Sequence, residues 1–111
     1  MNIEDLDGSW IKVKFCRSKS ELVEEINGVY ALTNFTGTVL YIGKSINIKR
    51  RFLEHIDTPS KNSLTYQGRT FWFFYQECEK DCETKVERGL LLTSILNSGK
   101  LPPLNKIYAP S

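Results

Sequence analysis

The sequence predicts an α+β fold: a small antiparallel sheet flanked by helices, with a three-stranded core of a hairpin plus an aromatic strand and a candidate extra strand near the N-terminus. Three observations predict it. Two β-rich runs, Gly28–Thr33 and 38–43, are separated by Asn34-Phe35-Thr36-Gly37, which carries turn chemistry at both ends. The run Phe71-Trp72-Phe73-Phe74-Tyr75 is too short for a membrane helix and is bounded by polar residues, so it reads as a central strand covered on both faces. Two further segments, Ile48–Ile56 and 81–97, carry helix start and stop signals.

Taken in chain order, 9–15 alternates Trp10, Lys12 and Lys14 against Ile11, Val13 and Phe15, the period of a half-exposed strand. Ser18-Lys19-Ser20-Glu21 reads as a capping box opening a short helix over 19–25, ended by Asn27-Gly28. In the hairpin, a four-residue loop sets Thr33 against Thr38 and therefore Tyr30 directly opposite Tyr41, on one face of the sheet. A slip of one residue would send the two phenols to opposite faces.

Asn47 caps the next helix, in which Ile48, Phe52 and Ile56 recur every four residues and bury one stripe. Arg51 and His55 have the same spacing, so they project from one flank of that helix and can serve one site. The polar stretch 57–68, with Pro59, is a loop, and the aromatic strand follows within 69–76. Asp81 is then expected to cap a longer helix, acidic in its first turn and stopped by Gly99 ahead of Pro102 and Pro103. The tail 104–111 reads as a surface segment, and no internal repeat or linker interrupts the chain.

With 111 residues the chain is expected to form one domain over 1–111 with a single modest core. Its 41% hydrophobic and 25% charged residues exclude disordered and coiled-coil classes. The net charge of +2 hides a basic patch, because Lys44, Lys49, Arg50 and Arg51 fall within eight residues. Such a patch permits nucleic-acid binding without requiring it. The three cysteines Cys16, Cys78 and Cys82 cannot all pair, and no apolar stretch has the length of a membrane span, which fits a reducing, cytoplasmic setting. Cys78 and Cys82 stand four apart, but no second Cys or His pair completes a zinc-like spacing, so all three read as small buried apolar residues.

The ordered set Gly28-Val29-Tyr30, ten residues, Tyr41-Ile42-Gly43-Lys44-Ser45, then Arg51, His55, Glu87 and Asn105 resembles the GIY-YIG nuclease superfamily. That superfamily includes the nuclease half of a bacterial excinuclease subunit and many phage and intron homing endonucleases, so its settings are DNA repair and mobile elements. The resemblance covers about 28–105 and leaves 1–27 as an N-terminal extension; Val29 in place of isoleucine keeps β-branching. It implies a metal-dependent endonuclease that hydrolyses DNA phosphodiester bonds, either as a minimal nuclease or with a recognition domain or partner protein.

The resemblance also implies roles. Glu87 would hold one divalent ion, Mg2+ or Mn2+, whose oxygen-ligand chemistry is met by one carboxylate, substrate phosphate and water. Glu83 is the rival carboxylate one turn earlier. Arg51 would grip a nonbridging phosphate oxygen with its planar fork, while Lys44, Lys49, Arg50 and the Gly43 backbone would contact the substrate around it. His55 would donate to the phosphate or orient a hydroxyl, the plainer reading being an exposed helical histidine. One of Tyr30 and Tyr41 would position or deprotonate the attacking water, and the sequence leaves open which. A phenol titrates near ~10, so such a base needs a nearby cation, for which Lys44 is the candidate nearest in sequence. Gly28 and Gly43 read as sites of close backbone approach, and Asn105 as a structural residue fixing the tail.

Two other classes remain to be weighed. Gly43-Lys44-Ser45 looks like the end of a phosphate-binding loop, but that motif needs a glycine where Thr38 stands. The stronger alternative is a noncatalytic nucleic-acid-binding module that keeps the fold; the joint presence of Tyr30, Tyr41, Arg51, His55 and Glu87 argues against it, because binding alone needs no carboxylate beside phosphate.

Overall fold

In the computed structural model, which describes residues 1–105, four antiparallel strands pair in the order β1-β4-β2-β3. They are β1 (Ile11–Lys14), β2 (Gly28–Thr33), β3 (Val39–Ser45) and β4 (Trp72–Glu77). The aromatic run thus supplies the central strand β4, paired with β1 on one side and β2 on the other. Two α-helices, α1 (Ile48–Ile56) and α2 (Glu83–Ser98), flank the sheet.

Every residue of β2 is buried because both sheet faces are covered. On one face Tyr30, Leu32, Phe73, Tyr75 and Val13 pack against Ile48 and Phe52 of α1. On the other, Val29, Ala31, Ile42 and Phe74 pack against Leu90 of α2, together with Ile3 and Leu6. Asn47 caps α1, its side chain accepting from the Arg50 N–H at 3.1 Å. Gly99, at φ 80°, ends α2 in the left-handed conformation that favours glycine.

The hairpin register differs from the sequence expectation. Thr33 pairs with Val39, Leu32 with Tyr41 and Tyr30 with Gly43. Two causes add. The Asn34 side chain accepts from the N–H groups of Thr36 and Thr38, which folds 34–38 into a five-residue tip and moves Thr33 one place along β3. Leu40 then bulges between the Val39 and Tyr41 pairs, moving the register a second place. Tyr41 therefore lies diagonal to Tyr30 rather than opposite it, and on the same face.

Two cap assignments are also corrected. Residues Arg17–Leu22 form a 3-10 helix rather than a helix over 19–25; Cys16 stands at its N-cap without a side-chain capping bond, and Val23 closes on the carbonyl of Ser20. The reason is Val23, only 1% exposed, whose insertion into the α1-side core pulls the chain into extended backbone. Asp81 does not cap α2 but takes φ 69° in the preceding turn, a conformation Asp tolerates, and Cys82 occupies the cap position. Asn27 instead organises this corner, its amide donating to the carbonyls of Cys78 and Glu79 and to Glu83 at 2.9 Å.

The N-terminal extension completes the sheet edges. β1 borders β4, while the backbone of Met1 and Ile3 bonds to Val39 and Gly37 beside β3. Further along β3, the Asn105 side chain accepts from the Ile42 N–H at 2.8 Å and donates to the Ile42 carbonyl at 2.9 Å. Residues 106–111 of the expected surface tail lie outside the described residues. The cysteines are half-buried rather than fully buried, and none is paired. No helix among the described residues is long and apolar enough to cross a membrane.

Candidate active site

The site grows from the pairing of Tyr30 with Gly43. A methyl group built on Gly43 would stand 2.4 Å from both Cζ and the hydroxyl of Tyr30, so the absent side chain is the space the phenol occupies. Gly28 shows the same economy of space at the other end of β2, where a methyl would meet the Gln76 carbonyl at 2.1 Å. Tyr30 is 0% exposed, lies on Phe73 with ring centroids 5.3 Å apart, and bonds through its hydroxyl to His55 Nε2 at 2.5 Å. Tyr41, half-buried, places its ring 6.0 Å from that of Tyr30 and edge-on to His55 at 5.5 Å.

His55 comes from α1, one turn beyond Arg51, and is 6% exposed, so the reading as an exposed helical histidine does not hold. Burial, with Lys61 and Arg51 nearby, lowers its imidazole to about 4, which keeps it neutral at pH 7. Burial pushes the Tyr30 phenol well above 10, the Tyr41 phenol adding to the effect and Arg51 opposing it. Tyr41 is raised too, chiefly by burial, with the Tyr30 hydroxyl opposing. All three rings are therefore neutral near pH 7.

Arg51 is half-buried and its Nε lies 3.2 Å from Glu54, an approach that closes no hydrogen bond. Arg50 is exposed and Lys49 half-buried on the same helix. Glu87 sits on α2, which packs mainly along β3 and covers the opposite sheet face. Its charge nonetheless acts on both phenols, raising them, while that of Arg51 lowers them. Lys44 alternates with Gly43 on β3 and pairs with Val29, which puts it on the α2 side, where it acts on Glu83 and Glu87.

The two rival carboxylates differ sharply. Glu83 is engaged by Asn27, and that hydrogen bond lowers its carboxyl below the ordinary range. Glu87 makes no hydrogen bond among the described residues and is raised by burial, so its oxygens are desolvated and uncommitted. A part-buried carboxylate with no hydrogen bond among the described residues, near the charges of Lys44 and Arg88, has oxygens that fit a hard divalent ion whose other ligands are water and phosphate. No cluster of three or more His, Cys, Asp or Glu side chains gathers among the described residues, so a cage made wholly of protein ligands is not offered there.

Some groups had no sequence signal. Lys61, in the loop after α1, holds its Nζ 4.3 Å over the Tyr41 ring. Glu54 and Asn27 select which atoms of Arg51 and which glutamate stay available, yet neither lies in the motif set. A hollow of about 420 Å³ lined by Ser9, Ile11, Glu24, Ile26, Gln76 and Glu77 includes none of the residues above.

Residues 26–94 match the family described as the GIY-YIG catalytic domain, a span that includes Tyr30, Tyr41, Arg51, His55 and Glu87 and stops short of Asn105. UvrABC system protein C of Dictyoglomus thermophilum is 28% identical over 91 residues, covering 80% of this chain and 14% of that protein. Excinuclease cho of Salmonella typhi is 34% identical over 80 residues, covering 71% of this chain and 25% of that protein, and the Salmonella typhimurium protein matches equally. The chain spans a quarter or less of the length of these curated relatives.

Proposed function

We propose that this chain, which belongs to the GIY-YIG catalytic domain family, is a metal-dependent endonuclease hydrolysing DNA phosphodiester bonds. The observation that carries the reading is the cluster of Tyr30, Tyr41 and His55, one helical turn from Arg51, inside the span that matches the family. Hydrolysis adds a water oxygen to phosphorus, breaks the bond to one sugar oxygen and leaves a phosphate monoester and a hydroxyl.

Arg51 directs its Nη groups to a nonbridging oxygen, where negative charge grows in the transition state. Tyr41, the more accessible phenol, meets the attacking water; Tyr30, fully buried and bonded to His55, fixes the floor on which Tyr41 sits. Because burial raises Tyr41, its neutral hydroxyl orients the water by hydrogen bonding near pH 7. Glu87 would hold Mg2+ or Mn2+, which supplies charge stabilisation and a more acidic bound water. Lys44, Lys49 and Arg50 line the approach of the phosphate backbone, and choice of DNA site is assigned to a recognition domain or partner protein.

The test is nicking of supercoiled plasmid with Mg2+, Mn2+ or EDTA. The parent cuts with metal, while Glu87→Ala and Arg51→Ala lose at least ~100-fold yet still bind DNA. A parent that binds DNA but never cuts with any metal would establish the noncatalytic binding module instead. A Glu87→Ala variant that cuts like the parent would remove Glu87 from the site.

A further inference from the structure

The hairpin tip presents an aromatic surface that the phosphodiester site does not use. Phe35 is 68% exposed at the centre of that tip, although a large apolar side chain gains nothing there from the core. Its backbone is held firmly: the Trp72 indole donates to the Phe35 carbonyl at 3.1 Å, and Asn34 closes the turn around it. The ring stands edge-on to Phe71 at 4.9 Å and near-parallel to Trp72 at 6.5 Å.

A second exposed ring lies on the adjoining turn. Tyr66 is 67% exposed between Thr65 and Gly68, which exchange two backbone hydrogen bonds. The two turns are tied by the Asn34 amide, which donates to the Gln67 carbonyl at 2.7 Å. Lysines accompany these aromatics: Lys12 is 4.0 Å over Trp72, Lys14 is 5.5 Å over Phe71, and Lys100 is 4.6 Å over Tyr66.

Rigid exposed rings with ammonium groups beside them are the combination that holds single-stranded nucleic acid, because bases stack on the rings while phosphates meet the cations. The lysines beside the rings favour this occupant over a docked protein, because the core of a protein–protein patch is depleted of charged residues. We propose that Phe35 and Tyr66, flanked by Lys12, Lys14 and Lys100, form a stacking platform for unpaired bases of single-stranded DNA. The choice of ligand rests on the nucleic-acid reading above. The platform directs the nuclease toward DNA that carries an unpaired stretch.

The test is fluorescence anisotropy of a labelled oligothymidylate of about 12 nucleotides, a length within the range of known single-strand sites, measured in EDTA against a fully paired duplex. Phe35→Ala and Tyr66→Ala should each weaken oligothymidylate binding roughly tenfold, Phe35→Trp should retain it, and all three should nick duplex plasmid at the parent rate. Lys14→Ala should flatten the dependence of log affinity on log salt by about 0.7. The platform is overturned if the parent nicks plasmid but does not bind oligothymidylate, the result expected of a protein-docking surface, or if both alanine variants bind it as the parent does. A parent that binds through Phe35 and Tyr66 but never nicks leaves the platform standing and removes the nuclease reading.

Discussion

Gly43→Ala tests the packing at the centre of the site. The added methyl would begin 2.4 Å from Cζ and the hydroxyl of Tyr30. Carbon contacts settle at about 3.5 Å or more, so ring or strand must yield by about 1 Å. The ring has little freedom to do so, being 0% exposed, stacked on Phe73 and bonded to His55. Overpacking of this kind costs about 1–3 kcal/mol. At roughly 4 °C per kcal/mol for a domain of this size, the thermal midpoint should fall by about 4–12 °C. A displacement of about 1 Å in catalytic geometry costs on the order of 100-fold, so plasmid nicking measured well below that midpoint should fall about that much while DNA binding persists. Circular dichroism melts and a nicking time course decide the matter. A Gly43→Ala protein that melts within about 1 °C of the parent and nicks at its rate would refute the idea that Gly43 exists to admit the Tyr30 ring.

Gly89→Ala is the contrasting case: nothing lies within 4 Å of the added methyl in the middle of α2, so the variant should gain about 0.5–1 kcal/mol in denaturant titration, and a loss would show an unseen close contact. For His55, the folded imidazole at about 4 lies below 6.5, so the folded chain refuses a proton that the unfolded chain takes. This contribution is full above pH 6.5 and is lost as pH falls to about 4, making the parent lose about 3 kcal/mol more than His55→Gln over that window; an NMR titration of His55 near 6.5 would contradict it. Asn105→Ala removes both hydrogen bonds to the Ile42 backbone and should cost about 1–3 kcal/mol, with faster hydrogen exchange at Ile42. Unchanged exchange there would mean that Asn105 does not hold the edge.

Legibility in the sequence followed the range of the interactions concerned. α1 was readable because its cap, apolar stripe and Arg51–His55 flank all follow from spacings within one helix. The central place of the aromatic strand was readable because burial on both faces leaves no alternation. Asp81 and the 17–22 turn were misread because their local preferences were overridden from a distance, by Asn27 reaching the start of α2 and by Val23 reaching the core. That Glu83 is engaged and Glu87 is not was equally out of reach of local pattern, because the partner of Glu83 is Asn27, 56 residues away. Lys61 carries no periodic signal, since a loop places it over Tyr41.

The hairpin shows how a wrong register can still give the right face. A tip longer by one residue shifts the pairing one place, and either that shift or the Leu40 bulge alone would have sent Tyr41 to the side of α2. Together they amount to a full pleat period. Val39 and Tyr41, two apart, accordingly face opposite cores, Val39 with Ile3 and Leu90, Tyr41 with Tyr30 and Phe52. The ten residues between Tyr30 and Tyr41 thus contain a tip and a bulge whose effects on facing cancel. The direct partner of Tyr30 becomes Gly43, which is the exchange that makes room for its ring: had the regular register held, Tyr30 would have faced Tyr41 directly, and Gly43 would have stood elsewhere with nothing to admit. The bulge therefore belongs to the site as much as the tyrosines do.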